Sequence, residues 1–420
     1  MSPGRLSGLR VTVAGGGVGG PVAALLLARA GADVVLLERV AEYGAAGGGY
    51  VLAPNGLAVL YGLGLAGVLR PHGRVVRETT TVLEDGTPLA QARIRDWGHG
   101  LDHGLAVARG VLCGALKDAM LAEPRIDARY GCEVTGAARN GTVQFRADDG
   151  SGGELRADVV VGADGVRSAI RAHGDFGARM RRTPLAVIRL MAPGDPFSSG
   201  RDDAARDSYG ERWTRLGTTI AGRGAGGRTY MSLAAGARPV RAALRRRDLA
   251  AVSRLWGEAL PQAVRALDGV SSFDQLLVNE IDVVSCRRWV DGRLVLIGDA
   301  AHAMPPHLGQ GANSTLLDAA VLVRELADAA ERGDPVIAGL ARYEARRRPA
   351  ATRVQRMSSA MAFVSDRLVA PGVRQARNAV MRAAARVPGK GLAPADLRVR
   401  SVMQEDPGRV YETVLDLCRR

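Results

Sequence analysis

Residues 9 to 39 read LRVTVAGGGVGGPVAALLLARAGADVVLLER, and few folds accommodate such a run. Leu9–Val13 is a short β-branched strand, Val22–Ala30 an apolar helical stretch, and Ala32–Leu37 a second strand stopping at Glu38. Gly15, Gly17 and Gly20 place G-x-G-x-x-G between strand and helix. The first glycine permits a tight turn, the second lets backbone approach a pyrophosphate, and the third lets helix and strand pack closely. The helix start at Val18 and Gly19 turns free N–H groups and a partial positive charge toward the phosphates. Glu38, with Arg39 beside it, is placed to accept hydrogen bonds from a ribose diol. The run predicts a βαβ unit that binds a dinucleotide.

Spacing alone does not make such a site. Gly222, Gly224 and Gly227 repeat it in AGRGAGGRTYMSLA, but between two strand-like runs, which predicts a loose hairpin turn.

A second region is as constrained. Leu294–Ile297 runs into GDAAHAMPPHLGQGANSTLLDAAVL, residues 298 to 322. Gly298 and Asp299 then stand at the carboxyl end of a strand, where ligands of open α/β sheets collect. Pro305 and Pro306 fix backbone angles, so the loop can hold a flat ring with little ordering on binding. Gly309 and Gly311 remove side chains where backbone must touch that ring. A helix is expected from about Ala312–Ser314, with Ala312 and Asn313 at its start as contacts to the bound ligand. A third stretch, ADVVVGADGVRSAIR (157–171), is a buried strand Val159–Val161 followed by a turn through Asp164.

With Tyr343, Arg347 and Pro349 in RYEARRRPA, these separated motifs occur in one order. Over most of residues 9 to 350 they resemble the p-hydroxybenzoate-hydroxylase-like family, the single-component class A flavin monooxygenases. The resemblance implies FAD, with Asp299 on its ribityl chain and Arg109, in LAVARGVLCGAL, near its phosphates. It associates the Asp164 stretch with both FAD and NAD(P)H. The helix near Ala312 would aim its amides at the N1–C2=O edge of the isoalloxazine, favouring the reduced ring. The implied reaction uses NADH or NADPH and O₂ to hydroxylate or epoxidise a small organic, expectedly aromatic, substrate through a flavin C4a-hydroperoxide. The sequence holds no second Rossmann unit for the nicotinamide, in keeping with transient NAD(P)H binding. The flavin is expected to swing between positions, and Gly47–Gly49 would suit contact with a moving ring.

The fold class expected is α/β: a Rossmann-like FAD-binding domain (1–70, 101–178, 286–349) interrupted by a mixed β-sheet substrate domain (71–100, 179–285), with a C-terminal helical extension (350–420). In LAVIRLMA (185–192), Leu185, Val187, Arg189 and Met191 share a face. Arg189 and Tyr230 are the substrate-pocket candidates. VRAALRRRDLAAVSRLWG reads as one surface helix, and Pro371, Pro388, Pro394 and Pro407 interrupt the helical patterns beyond 350.

Several function classes lose support. The formal charge is +14, but only Lys117 and Lys390 are lysines and the arginines are spread widely, which fits a solvated basic surface better than a nucleic-acid site. Cys113, Cys132, Cys286 and Cys418 lack zinc or C-x-x-C spacing, so reduced thiols are expected. His302 and His307 have no metal-site pattern around them, and no metal is expected. No G-x-S-x-G or P-loop occurs. No apolar run spans a membrane and the first strand comes too early for a signal peptide, so the expectation is a cytoplasmic monomer or homodimer. A halogenase or isoprenoid reductase on the same scaffold, or a flavin-binding protein without turnover, remain as alternatives. The isolated Trp97, Trp213, Trp256 and Trp289 do not make the W-x-W-x-I-P of tryptophan halogenases.

Overall fold

The computed structural model describes residues 4–42, 48–193, 208–223, 228–385 and 402–419. Strand β1 (Arg10–Ala14), helix α1 (Gly19–Arg29) and strand β2 (Asp33–Glu38) form the βαβ unit. The two strands are parallel, from Arg10 opposite Asp33 to Ala14 opposite Leu37. Helix α1 is buried on all sides because Arg109–Leu121, Gly311–Glu331 and Pro407–Cys418 pack around it. That accounts for its nearly continuous apolar sequence. Each fully buried leucine in it, such as Leu25, Leu26 or Leu27, contributes about 1.5–3 kcal/mol.

The six-stranded sheet runs in the order Val290–Asp291, Leu294–Leu296, Val159–Gly162, β1, β2, Ile126–Tyr130. All neighbours are parallel except the first pair. Register decides where its ligand edge lies. Ala14 pairs with both Leu37 and Gly162, and Gly162 pairs with Leu296. The turns after these strands, at Gly15, Ala163 and Gly298, are therefore brought to one edge although about 280 residues separate the first from the last.

A larger, seven-stranded sheet has the order Leu277–Ser285, Arg179–Pro193, Arg228–Ala234, Thr218–Arg223, Ser208–Trp213, Glu78–Leu83, Pro88–Arg93. Its outer face carries Ile188, Leu190, Met231 and Leu233 against a core built by the helices Arg238–Arg245, Leu249–Ala259 and Pro261–Leu267. The opposite face turns inward. There Leu185, Val187, Ala234 and Ile281 cluster with Ala362 of the long helix Val336–Ala362. The next row on that face, read from the pairings, is Arg189, Ser232, Ile220, Glu211 and Thr81. Arg189, Ile220, Glu211 and Thr81 are half-buried, so this row is not sealed into a core.

Several expectations need correction. The single surface helix after residue 240 is two, because Arg247 takes φ 55° and Asp248 caps the second by accepting from the Ala251 N–H. Pro371 and Pro407 start helices instead of interrupting them; the fixed φ of proline suits a first turn. The boundary drawn at residue 349 falls inside the helix Val336–Ala362, which continues through Pro349. A three-stranded antiparallel meander, Cys132–Ala137, Thr142–Ala147, Gly152–Arg156, adds to the expected architecture. Thr218–Arg223 and Arg228–Ala234 form the antiparallel pair around the second glycine repeat, while Gly224 and Gly227 themselves, like Gly47, Lys390, Pro388 and Pro394, lie outside the described residues. All four cysteines are unpaired.

Candidate functional site

The glycine turn assigns a distinct task to each glycine. Gly15 has φ 104°, and a Cβ there would stand 2.5 Å from the Ala163 carbonyl oxygen. The turn after β1 thus rests directly on the turn after Val159–Gly162. A Cβ on Gly20 would stand 1.8 Å from the Gly15 oxygen, and one on Gly19 2.2 Å from Cγ2 of Thr315. Gly17 is different: a Cβ there meets nothing within 4 Å. The turn is closed on three sides and open at Gly17, beside Val18, the first cap of α1. Gly16 and Val40 donate their backbone N–H groups to the two oxygens of Glu38. Glu38 thereby braces the turn, and a carboxylate has lone pairs beyond those two bonds. Arg39 is exposed next to it.

Asp164 behaves less simply than the sequence suggested. One carboxylate oxygen accepts from the N–H groups of Ala169 (2.7 Å) and Ile170 (3.1 Å), holding the start of a short helix. The other, Oδ1, is buried with no partner among the described residues, and burial pushes the carboxyl pKa up. Such an orphan is what a ligand donor would satisfy. Arg109 opens the helix Arg109–Leu121, is exposed, and donates its backbone N–H to the Gly48 carbonyl at 2.9 Å.

The turn after Leu294–Leu296 is held from behind. Gly298 has φ 60°, and a Cβ there would lie 2.5 Å from Oγ1 of Thr315. Its N–H donates to Asp318 at 2.9 Å. Asp299 follows as the first residue of a one-turn helix, and among the described residues its carboxylate accepts no hydrogen bond. Its side chain is open to solvent, yet surrounding protein desolvates it enough to raise its pKa, against the pull of His302 and Arg189. A carboxylate at the floor of a cleft satisfies both observations. Tyr50, on the strand Gly49–Leu52, is within electrostatic reach of Arg109, Asp299 and Arg189 together. Tyr230, in the same inward-facing set as Arg189, puts its ring 3.3 Å from where a Gly49 Cβ would be. The candidates Asp299, Arg109, Arg189 and Tyr230 therefore surround one space.

Behind that space the Pro-Pro loop is anchored by side chains the sequence did not single out. Ser358 donates to the Pro305 carbonyl at 2.5 Å, and Gln355 to those of Ala303 (2.8 Å) and Val284 (2.6 Å). Asn313 is fully buried: its oxygen accepts from Ala53 N–H at 2.9 Å while its amide donates to Val51 and Gly309 carbonyls. The side chain expected at the cofactor is instead a staple between loop and strand. Pro306, Gly311 and Ala312 are half-buried and Gly309, at φ 61°, is exposed. The helix begins at Gly311, so its first amides do come from the Gly311–Ala312 end.

Asp318 organises the rest. It accepts from Gly298 N–H, from His302 Nε2 at 2.6 Å and from Arg347 Nε at 2.9 Å, and all three side chains are essentially inaccessible. Burial would raise the Asp318 carboxyl, but His302 and Arg347 outweigh it and hold it low. Arg347 also donates to Gln404, and Tyr343 to the Leu296 carbonyl at 2.9 Å. Tyr343 and Arg347 are thus supports of the Asp299 turn, and His302 packs against Trp289. A lone acid in the apolar run TLLDAAVLV was the available signal, because a buried carboxylate needs a partner. Among the described residues, no group of three or more His, Cys, Asp or Glu is placed to share a metal ion. Among them too, no helix is long and apolar enough to cross a membrane.

These features fit a bound dinucleotide, and comparison with known proteins agrees. The FAD binding domain family matches residues 9–358. The 2-heptyl-3-hydroxy-4(1H)-quinolone synthase of Mycobacteroides abscessus is 30% identical over 356 residues, covering 84% of this chain and 90% of its own. The 3-amino-4-hydroxybenzoate 2-monooxygenase of Streptomyces cremeus is 32% identical over 360 residues, covering 84% of this chain and 87% of its own. Among solved structures, the tetrameric form of 2-methyl-3-hydroxypyridine-5-carboxylic acid oxygenase superposes with a TM-score of 0.73 at 26% identity, covering 96% of this chain and 97% of that one. The chain belongs to the FAD-binding-domain family, as a class A, p-hydroxybenzoate-hydroxylase-like, FAD-dependent aromatic monooxygenase.

Proposed function

We propose that this enzyme takes electrons from NADH or NADPH and hydroxylates a small aromatic substrate bearing a carboxylate or phenolate, in the cleft between the Asp299 turn and the larger sheet. The observation that carries this reading is the pairing of charges across that cleft. Asp299 is an accessible carboxylate without a donor among the described residues, and Arg189, on the facing sheet, acts on it electrostatically. Arg189 is steadied by donating to Asn279 at 2.8 Å, which leaves further guanidinium donors for an anion.

FAD, when bound, supplies the redox chemistry: it accepts hydride and activates O₂ for transfer of one oxygen atom. The protein's residues bind and orient. In this reading the Gly15, Gly17, Val18, Gly19 and Gly20 backbone meets the pyrophosphate, Glu38 and Arg39 the adenosine end, and Arg109 the phosphates. Asp164 and Gly298–Asp299 take the ribityl region; backbone at Pro306, Gly309, Gly311, Ala312 and Asn313 takes the ring. Tyr230 and Arg189 close the substrate side and exclude water from the reacting centre.

The same reading divides the chain into a flavin-binding part (1–70, 101–178, 286–349), a substrate sheet (71–100, 179–285) and a C-terminal helical part (350–420), with the helix Val336–Ala362 shared across the last boundary. It makes the protein a cytoplasmic monomer or homodimer. The relatives described above favour oxygenation over halogenation or reduction. The test is to load the protein with FAD, then follow NADH and NADPH consumption with a panel of benzoates, hydroxypyridine carboxylates and quinolones under ¹⁸O₂. Stimulated consumption and a product carrying one ¹⁸O support it. Reduction of FAD with no labelled product from any member of the panel would refute it.

A further inference from the structure

The second histidine of the Pro-Pro loop makes a connection that the reading above does not use. His307 follows Pro306 and is almost wholly buried. Its Nε2 meets the Asp366 carboxylate at 2.7 Å, and its Nδ1 is buried with no partner among the described residues, so of these Asp366 is the group that orients the imidazole. Asp366 lies on the π-helical turn Phe363–Arg367 that ends the long helix. Turns of this kind recur at functional sites. One oxygen of the same carboxylate accepts the N–H and the hydroxyl of Thr218, both at 2.7 Å, at the first residue of a strand in the larger sheet. The Asp366 carbonyl also seats against Gly236, where a Cβ would come within 2.2 Å. One inaccessible carboxylate therefore joins the loop, the sheet and the C-terminal helices.

We propose that His307 and Asp366 are a positioning pair for the flavin ring, through which the sheet facing the substrate and the C-terminal π turn together hold the Pro305–Gly311 loop in its binding shape. This rests on reading that loop as the ring's cradle. Neither residue touches the reacting atoms; each acts through the loop. The loop is thus clamped at both ends of its prolines, by His302 on Asp318 before them and by His307 on Asp366 after them.

Charge makes the second clamp sensitive to pH. Burial would lower the His307 pKa, but the Asp366 carboxylate outweighs it and raises it, with Glu211 of the strand Ser208–Trp213 adding to the effect. Asp366 is held low by His307 and Thr218 against its own burial, and Arg377 of the helix Pro371–Ala385 is the further charge acting with it. With His307 raised, the clamp is intact in mild acid and weakens as pH rises through that raised value. With Asp366 lowered, it fails again only as pH falls through the lowered carboxyl value.

The test needs no substrate. FAD binding to apo-protein is titrated by quenching of flavin fluorescence across pH, for the parent and for His307→Gln, Asp366→Asn and Thr218→Val. Hydrogen exchange of residues 303–311 is followed alongside. The expected result is a Kd raised roughly tenfold by His307→Gln and by Asp366→Asn, the scale of a loop that must order on binding. Thr218→Val should give a smaller rise, loop exchange should be faster in each variant, and the alkaline rise in Kd seen for the parent should be absent in His307→Gln. Parent-like Kd, exchange and pH profile in the two pair variants overturn the proposal. If either fails to fold, a parent-like Thr218→Val overturns it instead. A parent protein that takes up no FAD would overturn the functional reading itself, which separates the two failures.

Discussion

Replacing Asp318 by Asn removes a single charge from a network closed off from bulk solvent. Asp318, His302 and Arg347 are inaccessible, and Asp318 takes donors from both partners and from Gly298 N–H. Asparagine preserves the shape but leaves the Arg347 guanidinium with only neutral acceptors, Gln404 and the Ser314 carbonyl. Stranding one member of a buried ion pair costs about 3–5 kcal/mol. At roughly 2.1 cal/mol/K of unfolding entropy per residue, a 420-residue chain melting as one unit would lose about 3–6 °C. The assay is thermal unfolding of apo-protein by near-UV circular dichroism, parent against Asp318→Asn, repeated from pH 7 into acid. Because the Asp318 carboxyl is held low in the fold, its contribution is complete at neutral pH and is lost as pH falls through that lowered value. The gap between the two proteins should therefore narrow in acid. An Asp318→Asn protein melting within a degree of the parent at pH 7 would show that the network carries no such charge balance.

Other perturbations separate ligand roles from structural ones. Gly17→Ala should fold with parent-like apo stability, because its Cβ meets open space, while weakening FAD binding at least about tenfold; Gly20→Ala should fail to fold, which limited proteolysis would reveal. Asp299→Asn should leave the apo-protein as stable as the parent or more so at pH 7, since burial already disfavours its charge, yet raise the Kd for FAD. The sign follows from a raised acid: the parent apo-protein gains stability relative to Asp299→Asn as pH falls through the raised Asp299 value. Arg189→Met should keep FAD and raise KM for an anionic aromatic substrate by about tenfold or more, with little change for a neutral analogue.

Local periodicity and turn chemistry made the βαβ unit and the Asp299 turn legible, because both are short, contiguous and dictated by backbone geometry. Even the tasks of Gly15 and Gly20 follow from spacing. What the sequence hid was long-range. Nothing near Asp318 reveals that Arg347 will neutralise it, and nothing near His307 reveals Asp366, 59 residues away. The Asn313 side chain is hidden for the same reason: a polar residue after G-Q-G suggests a side-chain ligand contact, whereas strand Gly49–Leu52 makes that side chain a staple and leaves only its backbone for a ligand. The break at Asp248 was missed because apolar spacing continued across it, and only the positive φ of Arg247 resets the helix. The parallel joining of Glu78–Leu83 to Ser208–Trp213 likewise had no local mark.

In the proposed function, Arg189 holds an aromatic anion against a flavin ring lying over Asp299. The most direct measurement of this is the visible difference spectrum of FAD-loaded protein on adding aromatic carboxylates. A saturable perturbation of the visible flavin bands is expected, abolished in Arg189→Met. Protein that binds FAD but whose bands stay unmoved by every carboxylate, or move equally in Arg189→Met, would contradict it.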